Sequence, residues 1–485
     1  MRNFPCRLER VRFAIKLTEK HLLFIKIDGM SPGGVDYALQ KFPDLPGVRY
    51  FHDLIRTEKR IVTVDLLTVS RSGHLVLASG LSAWETNLLG NRVADFEKMC
   101  PTSPRIEDFF EIRTIYDAAV DAGYHENLLF ANKGLGLSDE SLDQLLEDVG
   151  DEGGIITNRL EGKIGFYEDT WDFSHSPFKK GAVLLPVLKY MDGKPGKFTK
   201  LAQKRNEIRN AVQSGQSVGL QKFITLDNVL AHETTRLLRE RQPFLATGTI
   251  SGLDKAGHSF TVESKEFAEV LSNTGLRIKE MIEALDGETL VAITGDHGNS
   301  TTTSTYPIEE GTTRAAERAG LTKDDYVLVT DGREAARIFL RDEVRESSKF
   351  KTIVQAFAEL ETHPDIKWVQ TPPPKELIDS AFGRGTLYDP PQFGDIIIMA
   401  QDHSGFKEGR KADHGGSGPD SAKVPLILTW HKNGSYKPVE LPREFQDNPA
   451  PIHHDIPAIL ARLMDLDLPY DRPPFLTIDW FESRI

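Results

Sequence analysis

Short apolar runs without polar alternation recur along the chain, separated by stretches of helical periodicity. Leu22–Ile27, Phe244–Ile250, Thr289–Thr294, Asp395–Ala400 and Val424–Thr429 read as strands. Both faces of each run are apolar, which predicts strands covered on both sides, as in a buried parallel sheet. Helical patterns cover roughly Ile106–Ala122, Leu220–Arg241, Ser264–Leu285 and Asp455–Leu466. Alternating strands and helices predict a layered α/β architecture with a mostly parallel central sheet.

Two regions interrupt this pattern. Tyr326–Thr330, Glu334–Leu340, a helix near Lys349–Glu361 and Ile366–Val369 predict a small α+β subdomain inserted at 301–389, ending near the Pro-rich Thr371–Pro374. The main α/β core is then expected over 20–300 and 390–485. Within that core, residues 135–220 are rich in Gly and charge (Gly-Asp-Glu-Gly-Gly at 150–154), which makes them a candidate lid or a plain surface loop.

Composition narrows the partners. A length of 485 residues allows one large domain with insertions, or two domains. The net charge of −13 argues against a general nucleic-acid binder or an anionic-membrane binder. Cys6 and Cys100 are the only cysteines, which excludes a disulfide framework and a cysteine zinc cluster. No apolar run is long enough to span a membrane. The N-terminal arginines (Arg2, Arg7, Arg10, Arg12) accompany Glu9 and precede no signal-like apolar region, so the default expectation is a cytoplasmic protein.

Chemistry-bearing residues cluster where apolar runs give way to Gly-containing turns. Asp28 follows the first run and precedes Gly29; Asp254 and His258 follow the run ending at Ile250; Asp296 and His297 stand between Gly295 and Gly298. His414 lies in a Gly-rich loop before Val424. Strand-end residues of this kind line the ligand-binding edge of an open α/β sheet. With a hydroxyl at Ser70 or Ser72 before a predicted helix, this set suits two hard-to-borderline divalent cations and a nucleophile. Either serine also suits a helix N-cap. Asp402-His403 and His453-His454-Asp455 offer the same residue types, with Asp455 reading as a helix N-cap and the histidines as structural or solvent-facing.

Taken in order, these segments resemble the alkaline phosphatase superfamily, most closely its type I phosphodiesterase/nucleotide pyrophosphatase branch. The matching residues are Ile27-Asp28-Gly29, Ser70-Arg-Ser-Gly-His74, Ala78-Ser79-Gly80, Asn91, Asp254-x-x-Gly-His258, Asp296-His297-Gly298 and His414-Gly415 before Val424-Pro-Leu426. Gly295 replaces the family's Ser before Asp296. The resemblance favours Ser70 over Ser72 and implies an alkaline-phosphatase-like αβα core. It also implies two ligand sets: Asp28, Asp296, His297 and the Ser70 oxygen for one metal, and Asp254, His258 and His414 for the other. Zinc is favoured by the imidazoles, with manganese also accommodated. Asn91 is expected to donate to a non-bridging phosphoryl oxygen.

The implied activity is hydrolysis of small phosphoesters, nucleotides among them, through a phospho-Ser70 intermediate. Arg71 departs from the family's aromatic-Pro context and keeps a monoesterase in view. A phosphonate hydrolase or a phosphomutase of the same superfamily would use the same residues, and a non-catalytic phosphate-binding protein could keep the fold. A sulfatase is disfavoured because Ser70 lacks the Cys/Ser-x-Pro-x-Arg context.

Overall fold

A computed structural model describes residues 20–57, 59–64, 67, 69–102, 112–124, 127–131, 218–382, 393–446 and 451–468, with four short strands between 155 and 184. Most of the candidate lid at 135–220, and Cys6, lie outside the described residues. Cys100 is a free thiol.

The main sheet is mixed. Its central strand, Lys20–Ile27, pairs in parallel with Leu245–Ile250 on one side and Glu288–Thr294 on the other. From His21 to Ile27 every residue of that strand is buried. The period of two distributes these side chains over two helical layers. Leu23, Ile25 and Ile27 pack in a core with Phe267, Leu271 and Ile278 of helix Lys265–Ile282, and with Leu230 of helix Val218–Arg241. Leu22 and Phe24 pack on the opposite face with Leu77 of helix Ser70–Ser79 and Ile456 and Leu460 of helix Asp455–Leu463. This sandwich is the αβα layering expected of an alkaline-phosphatase-like core.

Strand directions bring distant segments to one edge. Lys20–Ile27, Leu245–Ile250 and Glu288–Thr294 run parallel, so their C-terminal ends share an edge. Lys423–Lys432 runs antiparallel to Glu288–Thr294, which puts the loop before it at that edge too. Lys59–Thr63 is antiparallel to Lys423–Lys432 and therefore also ends there, just before Ser70. Unalternated burial at Val424–Thr429 thus reflects cover on both faces rather than parallel pairing.

A second, antiparallel sheet orders its strands as Tyr326–Asp331, Ala335–Leu340, Ile396–Ala400 and Ile366–Gln370. The Ile396–Ala400 strand, which reads like its main-sheet counterparts, belongs here. Ile396, Ile398 and Ala400 face one apolar cluster with Ile353 and Phe357, while Ile397 and Met399 face another with Val69, Trp84 and Phe393. That second cluster joins the antiparallel sheet to the segment that carries Ser70.

Candidate active site

The shared edge gathers three aspartates and three histidines into the interior. Asp28, Asp296 and His297 have no exposed surface, Asp254 has 1%, His414 5% and His258 9%. Buried charge of this density is costly unless it is paired or coordinates metal.

Each ligand candidate is held by its backbone. Gly29 adopts φ +72, and a Cβ there would lie 2.9 Å from the Asp254 Cα, so only glycine lets the Asp28 turn approach the Asp254 helix. The Gly29 and His297 backbone N–H groups both donate to Asp296 Oδ1, at 3.3 and 3.1 Å. His297 Nδ1 donates to the Gly298 carbonyl at 2.9 Å, leaving Nε2 to face Asp28 Oδ1 at 3.3 Å and Asp296 Oδ2 at 3.5 Å. His258 Nδ1 donates likewise to the Ala412 carbonyl at 2.8 Å, with Nε2 3.1 Å from Asp254 Oδ1. Such outer hydrogen bonds orient an imidazole for metal ligation. His414 Nε2 stands 3.8 Å from Asp254 Oδ1, and its ring stacks on His297 with centroids 3.7 Å apart.

Electrostatics divide the histidines. Burial opposes protonation of His297, but the Asp296, Asp28 and Asp254 carboxylates outweigh it and raise the pKa to about 9. His414 moves the other way: burial, then the neighbouring His297, hold it well below the usual histidine range, so it is a neutral imidazole.

The serines separate cleanly. Ser70 is the first residue of helix Ser70–Ser79, after the N-cap Val69, and places Oγ 3.1 Å from His297 Nε2. Ser72 Oγ instead donates to the Leu67 and Val69 carbonyls at 3.3 and 3.2 Å. The helix N-terminus comes this close because Gly73 packs on the Asp296 carbonyl, 2.5 Å from where a Cβ would sit. One turn along the same helix, His74 Nε2 lies 3.5 Å from Asp296 Oδ2. The Arg71 side chain lies outside the described residues.

Three groups of ligand atoms are close enough to hold a cation: Asp28, Asp296 and His297; Asp254, His297 and His414; and His258, Asp413 and His414. Of the seven ligands selected from the sequence, the six Asp and His side chains all fall in these groups, with Asp254, His258 and His414 divided between two of them. Ser70 Oγ adjoins the first group at His297. These oxygen and imidazole donors fit divalent cations. Asp413 is an addition. It accepts from Arg410 Nη1 at 3.1 and 3.2 Å and pairs with Arg333 Nε at 3.1 Å. Asn91 stands where the loop meets the second sheet, its backbone N–H donating to Asp331 Oδ1 at 2.9 Å.

The remaining histidine candidates lie elsewhere. His453 is buried and bonds through Nε2 to the Gly295 carbonyl at 3.0 Å, beneath the Asp296 turn. Asp455 is not an N-cap: His454 takes that position, while the Asp455 carboxylate accepts from the Ile452 N–H at 2.9 Å. Asp402 pairs with Lys367 at 2.9 Å on the surface, and His403 Nδ1 donates to the Thr301 carbonyl at 3.1 Å.

A mixed sheet in an αβα sandwich, with this cluster at the strand ends, is the fold of the alkaline phosphatase superfamily. The profile of the type I phosphodiesterase/nucleotide pyrophosphatase family matches residues 22–420, and the chain belongs to that family. Family membership makes it a hydrolase of the phosphoester-cleaving class. Among solved structures, phosphonoacetate hydrolase from Sinorhizobium meliloti, in complex with phosphonoformate, is similar at 15% identity and TM-score 0.58, with 90% of this chain and 94% of that one covered. Murine ectonucleotide pyrophosphatase/phosphodiesterase 5 is similar at 16% identity and TM-score 0.54, covering 93% and 97%. No curated protein matches the chain. Among the described residues, no helix is long and apolar enough to cross a membrane.

Proposed function

We propose that the protein hydrolyses small phosphodiesters or pyrophosphate diesters at a two-cation site, with Ser70 as the nucleophile. The observation that carries this reading is the Ser70 hydroxyl, 3.1 Å from His297 Nε2 at the mouth of a buried acid–imidazole cluster.

Asp28, Asp296 and His297 would hold one cation beside Ser70; Asp254, His258 and His414 would hold the other. Bound cations supply Lewis acidity that lowers the serine pKa and offsets charge on the phosphoryl oxygens. The chain does the positioning. Gly298 and Ala412 carbonyls fix the imidazole tautomers, and the Asp296 turn sets its carboxylate by two backbone N–H groups. Ser70 sits at a helix N-terminus whose dipole favours a developing oxyanion.

Attack by Ser70 Oγ on phosphorus, with its hydroxyl proton passing to solvent, forms a Ser70 O–P bond and breaks the bond to the leaving oxygen, which departs with the electron pair. Water then cleaves the Ser70 O–P bond and regenerates the hydroxyl. Asn91 is assigned a donor role toward a non-bridging oxygen.

Turnover of bis(p-nitrophenyl) phosphate against p-nitrophenyl phosphate, with zinc or manganese supplied after chelation, tests the reading. The expected result is metal-dependent activity with the diester preferred. Preference for the monoester would move the protein to the phosphomonoesterases, and activity that is indifferent to chelation would end the two-cation reading.

A further inference from the structure

Arg410 projects over the second half of the site. Its backbone neighbourhood is anchored: the Lys411 N–H donates to the His258 carbonyl at 2.9 Å, and Ala412 accepts from His258 Nδ1. From there Arg410 Nη1 reaches His258 Nε2 at 2.9 Å and both Asp413 oxygens at 3.1 and 3.2 Å. The Arg410 side chain is 39% exposed, while Asp413 is fully buried. Arg333 Nε supplies Asp413 with a second cationic partner at 3.1 Å.

The His258–Arg410 contact has a chemical implication. Nδ1 of His258 bonds to a carbonyl and carries the proton, so Nε2 offers a single lone pair. That lone pair cannot serve an arginine N–H and a divalent cation at once. A cation ligated by His258 must displace Arg410, whose half-exposed side chain can move without unpacking the core. Asp413 retains Arg333 throughout and can keep Arg410 by its carboxylate, so the released guanidinium stays on the rim of this half-site.

Ser70 lies at the opposite half, against His297 and Asp28. In-line displacement therefore sends the leaving group toward His258, His414 and Arg410. A planar guanidinium placed there matches a two-oxygen anion.

We infer that Arg410 determines specificity: it yields His258 to the incoming second cation and then binds an anionic group carried by the leaving group of the substrate. The substrate class is a phosphoryl or phosphonyl compound whose departing portion bears its own phosphate or carboxylate. The inference rests on the two-cation reading above and refines it.

Two measurements on Arg410→Gln and Arg410→Lys test it. The first is a zinc titration of chelated protein against a chromogenic chelator. Loss of one charge-assisted hydrogen bond on His258 should tighten the second zinc by about tenfold in Arg410→Gln, leaving the first unchanged. The second is the ratio of kcat/KM for a diester of pyrophosphate to that for bis(p-nitrophenyl) phosphate, with phosphonoacetate as the carboxylate arm. That ratio should fall by about tenfold or more in Arg410→Gln and recover in part in Arg410→Lys. Loss on the pyrophosphate arm alone assigns the anion as phosphate, and loss on the phosphonoacetate arm alone assigns it as carboxylate. A second zinc bound equally by wild type and Arg410→Gln, or an unchanged ratio on both arms, overturns the inference while the two-cation reading stands. Wild-type protein that takes up no second zinc overturns both.

Discussion

Ser70 Oγ and His297 Nε2 lie 3.1 Å apart although 227 positions separate them in the chain. The contact exists because the strands preceding each residue finish at the same sheet edge, through an antiparallel intermediary at Lys423–Lys432.

His297 makes metal binding and stability depend on pH in opposite senses. Its pKa in the folded, chelated protein is raised from 6.5 to about 9, so the stabilisation is complete below 6.5 and is lost as pH rises through 9. The loss should be on the order of 3 kcal/mol or less. Cation binding displaces the same proton, so affinity should climb over that window, with proton release at pH 7.5. Calorimetry of zinc binding in buffers of different ionisation enthalpy measures the released protons. Binding without proton release would show that His297 is not a ligand.

Lys26 is a buried cation two residues before Asp28, on the sheet face that Leu22 and Phe24 also occupy. Burial lowers its pKa to about 8, against the opposing pull of Asp296. A depressed folded pKa means a stability penalty that is full below about 8 and gone above 10.5. Lys26→Met in chelated protein should therefore melt higher at pH 7, by up to about 3 kcal/mol of stability, with the gain closing near pH 10.5. Equal melting at pH 7 would show that the burial cost of Lys26 is met by partners other than Asp296.

The turn between the first two strands of the second sheet supports two loops of the site together. Asp331 accepts the Asn91 N–H and pairs with the buried Arg337 at 2.6 Å; the Arg333 N–H donates to the His414 carbonyl at 3.1 Å; Glu334 accepts from the Gly416 N–H at 3.0 Å and from Ser421 Oγ at 2.6 Å. Asp331→Ala leaves Arg337 buried and uncompensated and should cost about 3–5 kcal/mol. Adding Arg337→Met should restore most of that stability but not kcat, because Asn91 still lacks its acceptor. Denaturant unfolding beside steady-state kinetics separates the two effects, and a double variant with full kcat would remove the turn from any role in positioning Asn91.

Much of this arrangement was legible in the residue pattern. Asp28, Asp296 and His297 each follow an apolar run and adjoin Gly, as strand-end ligands do, and Asp254 sits in the first turn of the helix that follows the run ending at Ile250. Other parts were hidden for physical reasons. Ser70 and Ser72 share a helix start, so residue type and position left both open; the family resemblance favoured Ser70, and the contacts agree, with Ser70 Oγ against His297 Nε2 and Ser72 Oγ on backbone carbonyls. Strand direction left no trace at Val424–Thr429, because cover on both faces gives the same apolar run either way. Arg410 precedes, and Asp413 ends, the two-residue strand Ala412–Asp413, too short to carry a period, and the importance of Arg410 comes from a contact to His258 more than 150 positions away. His74 was detectable: it stands four residues after Ser70 on the same helix face and meets Asp296.

The proposed chemistry stands or falls on whether Ser70 takes the phosphoryl group. Zinc-loaded protein mixed with bis(p-nitrophenyl) phosphate, quenched in acid within the first turnover and digested, tests it by peptide mass. Attack by Ser70 expels one p-nitrophenolate and leaves a p-nitrophenylphosphoryl group on the Ser70 peptide. The expected result is that adduct on Ser70, its absence in Ser70→Ala, and a loss of turnover on the order of a thousandfold or more in that variant at unchanged zinc content. An unmodified Ser70 peptide during an active turnover, with Ser70→Ala retaining the wild-type rate, would contradict it.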